Sequence, residues 1–332
     1  MQTLSVIIPF FQREAGVLSR ALNSVHRQEV PPGWSIEVIV IDDGSPLPAS
    51  HDVASINLSE PIYLRVLTQE NRGVAAARNR GLDEADAQTS LIAFLDSDDA
   101  WPANHLARAI EALEQGFDFY FTDNDRPGHH ESHCRGQHLP ETHAFILASG
   151  QATGFLDIPR ETMAALVLSE LPGQVSTVVY RREVHPGLRF NTELKYSGED
   201  TLFFTRLVAA ARRICFDLDG LVHCGEGINI YFSNLGWDNP AFMAIIEDQV
   251  RCRSLVAEHQ ELSPYILQQN AIRLRMDRDD FAFHALRRMV KTWGRIPPEV
   301  FRLAQTDPSF YRWFPLAALR VVAGYFIGSY KP

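Results

Sequence analysis

The chain has 332 residues, of which 45% are hydrophobic, enough for one large α/β domain with an appended segment. Net charge is −10, but residues 271–332 carry 11 Lys plus Arg against 5 Asp plus Glu, so a general nucleic-acid binder is excluded and basic character is local. The four cysteines, Cys134, Cys215, Cys224 and Cys252, lack paired spacing, and no apolar run reaches the roughly 20 residues that span a bilayer, which excludes a disulfide scaffold and an integral membrane protein.

The first element is Leu4-Ser5-Val6-Ile7-Ile8-Pro9, a β-branched run stopped by proline and expected as a buried strand. Residues 15–28 follow with Val17, Leu18, Ala21, Leu22 and Val25 at helical spacing. Ile36–Ile41 is a second buried strand, ending in Asp42-Asp43-Gly44-Ser45-Pro46. Residues 62–67 alternate as a third strand, and 71–85 form a helix with small residues on several faces. Leu91-Ile92-Ala93-Phe94-Leu95 is a buried parallel strand that runs into Asp96-Ser97-Asp98-Asp99. Strand–helix alternation implies a largely parallel sheet, and such sheets bind ligands at the carboxyl ends of their strands. Two strands therefore deliver acids to one edge. Gathered carboxylates call for a cation, and a divalent metal carrying a phosphate-linked ligand suits them. An acidic turn capping the helix after Trp101-Pro102 is the bland alternative. No glycine-rich phosphate loop of the dinucleotide or P-loop kind follows the first strand.

These segments resemble family 2 glycosyltransferases of the GT-A fold, an α/β fold with a mostly parallel, Rossmann-like sheet. Val6 to Glu14 resembles their opening strand, and Val40 to Ser45 their second strand and nucleoside-binding turn. Asn71 to Gly81 is similar to their N-x-G-x-x-x-A-R-N-x-G helix, and Asp96-Ser97-Asp98-Asp99 to their metal-binding D-x-D. Gly198-Glu199-Asp200 resembles the E-D pair that supplies the catalytic base. The opening Phe10 to Glu14 and the Asp-Asp-Gly-Ser-Pro turn look most like exopolysaccharide glucosyltransferases of the succinoglycan type. Phe11 and Gln12 depart from the pattern, standing where the family usually has Tyr and Asn.

The resemblance implies a UDP-sugar site built from Pro9, Phe11, Glu14, Asp42, Asp43, Arg78, Asp96 and Ser97. Phe11 would stack on the base, and Glu14, Asp43 and Arg78 would meet its edges. Asp42 is placed as well as Asp43. Arg78 also has a purely structural reading, as a helix-surface partner of Glu84 or Asp83. Asp98 is the expected main ligand of Mn²⁺ or Mg²⁺, with Asp96 contacting the ribose and orienting the metal through water, and Asp99 a second ligand or supporting group. Asp200 opens an apolar-periodic helix, where it would act as N-cap and as the general base for the acceptor hydroxyl. Glu199 beside it would hold the acceptor or be solvated. One base without a second nucleophilic carboxylate suits a single displacement with inversion, which the resemblance also implies.

Several stretches stay open. His129, His130, His133, Cys134, His138 and His143 crowd a segment that Pro127, Gly128 and Gly136 make a loop, read as an acceptor-side loop over a structural zinc site. His223 reads as a metal ligand or a buried strand histidine. Val175–Tyr180 is expected as a strand. Trp237, on a loop before a helix, either stacks on an acceptor sugar or anchors the helix entrance. The domain expectation is 1–235 for the transferase, with 1–122 the nucleotide-sugar half and 123–235 the acceptor half. Residues 236–332 are then a helical region broken near Pro264, Pro297-Pro298 and Pro315. Its last segment, Phe310 to Lys331, mixes aromatics with spaced cations and reads as a peripheral membrane contact, against a packed helix or dimer element.

No signal peptide is expected, since polar residues follow Pro9 at once, and a cytoplasmic protein at the inner face of a membrane fits. The leading function is an inverting, metal-dependent transfer of glucose from UDP-glucose to a lipid-linked oligosaccharide. A nucleotidyltransferase on a similar sheet would need a glycine- and arginine-rich loop that Gln12-Arg13-Glu14 does not supply. A silent scaffold of a polysaccharide assembly complex should have lost Asp96, Asp98 and Asp200.

Overall fold

In the computed structural model, which describes every residue except 55, 57, 126–131, 137, 226–235, 240, 260 and 327–332, contacts divide the chain into two units. The first comprises 1–192 and 203–228, and the second 193–202 and 229–332. The expected boundary at 235 falls outside the described residues.

The first unit opens with β1 (Gln2–Phe10), α1 (Val17–His26), β2 (Trp34–Asp42), α2 (Ala49–Val53), β3 (Ile62–Thr68), α3 (Val74–Glu84) and β4 (Thr89–Phe94). It continues through α4 (His105–Glu114), β5 (Phe119–Asp125), α5 (Pro140–Ser149), β6 (Phe155–Ile158), α6 (Arg160–Ser169) and β7 (Val179–Arg181). After α7 (Glu199–Ala210), which straddles the division, β8 (Ile214–His223) completes the sheet. The strand order is β3-β2-β1-β4-β7-β5-β8-β6. β1 pairs in parallel with β2 and β4, β2 with β3, and β5 with β8. β7 runs antiparallel between β4 and β5, and β6 antiparallel on β8. The sheet is therefore mixed but mostly parallel, as strand–helix alternation predicts.

β1, β2 and β4 are almost wholly buried, which is why they read as continuous apolar runs. The small residues of α3 let it approach β1 closely. A Cβ at Gly81 would lie 2.3 Å from Ile7 Cγ2, so only glycine fits there. The helix starts at Val74 rather than Asn71, because the backbone N–H groups of Arg72 and Gly73 bond instead to Asp43.

Val175–Tyr180 corrects one expectation. Val175–Thr177 is a 3₁₀ turn, and the strand begins only at Val179. The Thr177 amide and hydroxyl both donate to the Gln174 carbonyl, at 2.9 and 2.8 Å, which curls this β-branched stretch.

The second unit holds α8 (Phe242–Ala257), α9 (Pro264–Lys291), α10 (Pro298–Thr306) and α11 (Phe310–Phe326). Its core joins Met243, Ile246, Val250, Phe281, Leu303, Phe310, Trp313, Ala317 and Val321. Pro264 and Pro298 occupy first-turn positions, where a missing N–H costs nothing. Pro315 does not break the chain as expected. It lies inside α11 and removes only the bond to Tyr311. One face of α11 is thus packed, and Arg320 there holds Asp279 through two bonds of 3.1 Å from Nε. Tyr311, Leu316, Leu319 and Val322 remain exposed on it. No helix among the described residues is long and apolar enough to cross a membrane.

Candidate active site

Parallel pairing brings the ends of β1, β2 and β4 together. The Asp43 amide donates to the Phe10 carbonyl at 2.9 Å, and the Leu95 amide to Ile7 at 3.0 Å. Asp42 turns its carboxylate on its own loop, accepting from the Ser45 and Ala49 amides at 2.8 Å each. Asp43 accepts from Gln69 Nε2 (2.7 Å) and from the amides of Arg72 (2.9 Å) and Gly73 (2.8 Å) at the entrance to α3. Both carboxylates are buried and satisfied.

The loop after β4 is different. Asp98 and Asp99 stand close to Asp96, and burial followed by that neighbour raises the Asp98 carboxyl above its usual range. Asp99 is pushed up further by burial, then by Asp96 and Asp98, against hydrogen bonds from Ser176 and the Gly225 amide. The Gly225 amide donates to Asp99 Oδ1 at 2.8 Å. A Cβ on Gly225 would lie 2.3 Å from the Asp98 carbonyl oxygen, so this approach requires glycine. Arg78 is buried and donates from Nη2 to Asp96 Oδ1 at 2.7 Å, rather than pairing with Asp83 or Glu84. Its guanidinium also lies over the Phe190 ring, 5.2 Å from the centroid. The next residue, Asn79, clasps the Phe190 backbone through two bonds of 2.9 and 2.8 Å.

Gln12 is buried, and its Nε2 donates to Ser97 Oγ at 3.1 Å. The residue that departs from the family pattern thus steadies the acidic loop. Phe11 beside it is half-buried and Glu14 is exposed, while Pro9 is buried in β1. His223 sits at the end of β8, bridged through its backbone to Ala100. It is exposed, unlike the buried strand histidine expected as its alternative role. Its Nδ1 pairs with Asp125 Oδ2 at 2.9 Å, which leaves Nε2 as the ring nitrogen available to a ligand.

Sequence reasoning missed Ser176. Its Oγ accepts from the Asp96 amide at 2.9 Å and supports Asp99, while its carbonyl takes the Trp101 indole N–H at 2.7 Å. Nothing in a local pattern marks it, since its partners lie far along the chain. In the histidine-rich stretch, Cys134 is buried with Sγ directed at the Pro172 carbonyl, and the His133 and His138 rings stack at 6.4 Å. His129 and His130 lie outside the described residues, and His143 is within α5.

Glu199, Asp200 and Trp237 belong to the second unit. The helix begins one residue before Asp200, so Asp200 is not its N-cap. Gly198 takes that place, its carbonyl accepting from the Leu202 amide at 3.0 Å. A Cβ at Gly198 would lie 2.8 Å from Cys252 Cβ, and its φ is +87°. Asp200 lies in the first turn, where its Oδ1 accepts from the Thr201 amide at 2.7 Å. Trp237 is 47% exposed. It packs edge-on against His284 at 5.1 Å and lies 5.3 Å from the Arg287 guanidinium.

Among the described residues, no three His, Cys, Asp or Glu side chains form a ready-made metal cage. The crowded Asp96, Asp98 and Asp99 fit a hard divalent cation that arrives with phosphate oxygens, because such an ion needs only one or two protein carboxylates and relieves their mutual repulsion.

The sequence matches the family model described as glycosyl transferase family 2 over residues 5–184. It is 34% identical over 261 residues to the succinoglycan biosynthesis protein ExoW of Rhizobium meliloti, covering 73% of this chain and 75% of that protein. The fold matches S. aureus TarS 1–349 in complex with UDP-GlcNAc, with a TM-score of 0.65 at 20% identity over 100% of this chain and 93% of that one. It also matches mannosyltransferase PcManGT of Pyrobaculum calidifontis in complex with GDP-Man and Mn²⁺, with a TM-score of 0.56 at 17% identity over 96% and 86%.

Proposed function

The chain belongs to glycosyl transferase family 2, and from that premise we propose that it is an inverting, metal-dependent transferase moving glucose from UDP-glucose onto a lipid-linked oligosaccharide in exopolysaccharide biosynthesis. The carrying observation is the crowded acid loop after β4, with Asp96 held by Arg78 and Asp99 by Ser176 and Gly225. The likeness to ExoW supports the exopolysaccharide setting, and the TarS and PcManGT complexes support a nucleotide-sugar donor and Mn²⁺.

In this reading Asp98 is the principal ligand of Mn²⁺ or Mg²⁺, Asp99 a second, and His223 Nε2 a further candidate. The cation, when bound, offsets charge that develops on the diphosphate leaving group. Arg78 fixes the Asp96 carboxylate for the ribose. Phe11 supplies a face for the uracil, and Pro9, Glu14, Asp42, Asp43 and Ser97 shape the rest of its pocket. Asp200 takes the proton from the attacking acceptor hydroxyl, with Glu199 assisting, and Trp237 offers a stacking surface to an acceptor sugar. The exposed apolar side of α11 supports membrane contact at its C-terminal end.

A screen of UDP- and GDP-sugars for metal-dependent hydrolysis tests the donor without needing an acceptor. Hydrolysis of UDP-glucose above other donors, lost on chelation, is expected. Equal indifference to every donor and metal would overturn the proposal.

A further inference from the structure

The turn joining α9 to α10 carries a feature that the transfer reaction does not use. Trp293 is 97% exposed there, and Val290 82%. Ile296 and Phe301, at 45% and 55%, follow on the same corner. Trp293 also has φ +56°, the left-handed region that glycine fills without strain. Gly294 beside it, at φ +85°, continues the reversal. The turn is nonetheless well defined. The Gly294 amide bonds to the Met289 carbonyl at 2.8 Å, and the Thr292 hydroxyl donates to the Arg288 carbonyl at 2.8 Å and lies 3.2 Å from that of Arg295. A bulky indole is thus held outward, in a strained conformation, on an ordered turn. Such outliers point to function.

The surrounding charge selects the partner. Between residues 287 and 302 stand five cations, Arg287, Arg288, Lys291, Arg295 and Arg302, in a chain of net charge −10; Arg302 is paired with Glu247 and Glu299, and Arg288 with Glu299. Arg287 and Lys291 share one carboxylate, Asp238, which leaves that trio positive. Arg295 is exposed and has no ion-pair partner among the described residues. An exposed aromatic tip flanked by the exposed Lys291 and Arg295 matches the boundary between anionic headgroups and acyl chains, where indole rings settle and Lys or Arg meets lipid phosphate.

We propose that the α9–α10 turn inserts Trp293 and Val290 into an anionic lipid surface, with Lys291 and Arg295 on the headgroups. For its purpose the inference rests on the proposed lipid-linked acceptor, since the turn would hold the enzyme where that substrate lies. It makes this turn, more than the tail, the principal contact.

The full chain is sedimented with phosphatidylcholine vesicles containing phosphatidylglycerol and with pure phosphatidylcholine vesicles. The intact protein should bind the anionic vesicles, and added salt should weaken binding. Val290→Ser combined with Trp293→Ser should lower partitioning about tenfold or more. Arg295→Glu should lower it on anionic vesicles alone. Both side chains are exposed, so thermal unfolding and UDP-sugar hydrolysis should be unchanged. Unaltered partitioning of the double variant would overturn the proposal, as would an intact protein that ignores anionic vesicles. A lipid-free sedimentation coefficient that falls in the double variant would also overturn it, assigning the turn to a second copy of the chain. Hydrolysis, read on the same preparations, reports on the transferase reading separately: vesicle binding without donor hydrolysis would sink that reading and leave the turn's contact standing.

Discussion

β2 and β4 flank β1, and each is followed by paired acids, yet the two sets live in opposite electrostatic conditions. The carboxylates of Asp42 and Asp43 collect five hydrogen bonds, four from backbone amides and one from Gln69. They are already neutralised by dipoles, and they hold a turn and a helix entrance in place. Asp98 and Asp99 are instead raised by burial and by Asp96, which itself accepts from Arg78. The first pair is satisfied by fixed donors, whereas the second is crowded, the condition under which carboxylates favour a cation. Equal acidity at a strand end therefore says little about function until the donors around it are counted.

The contrast breaks if Asp98 proves structural. Asp98→Ala should lower transfer by about 10²–10³-fold, the scale of a lost electrostatic contact to developing charge. It should leave stability unchanged or raise it, because a repulsive neighbour is removed. Calorimetry of UDP with and without Mn²⁺, beside a denaturant melt, reads both quantities. Metal-dependent affinity that survives the substitution would remove Asp98 from the ligand set.

A first-turn carboxylate in the second unit gives an independent reference. Asp200→Asn keeps the side-chain oxygen that accepts from Thr201 but cannot take a proton. Transfer should fall by at least about 10²-fold while donor binding holds. An active variant would shift the base elsewhere, Glu199 being the first suspect.

Asp42→Ala should behave in the reverse sense to Asp98→Ala. It orphans the amides of Ser45 and Ala49, and stability should drop by about 1.5–3 kcal/mol, the range for hydrogen bonds to a charged group. Urea unfolding measures this. A neutral result would show that the turn does not depend on its acid.

His105 gives an effect confined to acid pH, absent near neutrality, and clears the background. It is buried, stacked on Trp101 at 4.7 Å, and neither ring nitrogen has a partner among the described residues. Burial lowers its pKa to about 3. The unfolded chain therefore binds the extra proton first, and stability present above about pH 6.5 is lost as pH falls toward 3. His105→Phe should flatten that slope by up to about 1.4 kcal/mol per pH unit, leaving the carboxylates to dominate what remains. Melting temperatures between pH 4 and 7 test it, and an unchanged slope would mean that His105 is already satisfied.

Much of this arrangement was legible in the chain. The buried strands announce themselves as continuous apolar runs, and the acids mark where β2 and β4 end. What stayed hidden depends on pairings between distant segments. Ser176 meets Asp96 and Asp99 only because β7 is inserted beside β4. Gly225 reaches Asp98 only because β8 ends near Ala100. Gln12 departs from the family pattern, and its bond to Ser97 depends on where its side chain turns, which the sequence does not show. Thr177 misled for a local reason: its β-branched side chain suggests a strand, while its hydroxyl curls the backbone.

The position of β7 also bears on how the molecule is made. Strands β1 to β4 lie within the first 94 residues and can pair as soon as they leave the ribosome, but the free side of β4 waits for Val179–Arg181. Throughout that stretch of synthesis, Leu91 to Ala93 present an apolar, unpaired edge, the kind of template on which nascent chains join. Fragments that stop short of residue 179 should therefore aggregate through β4, so the strand that leads into the crowded acids would also be the one whose sealing keeps a newborn chain single.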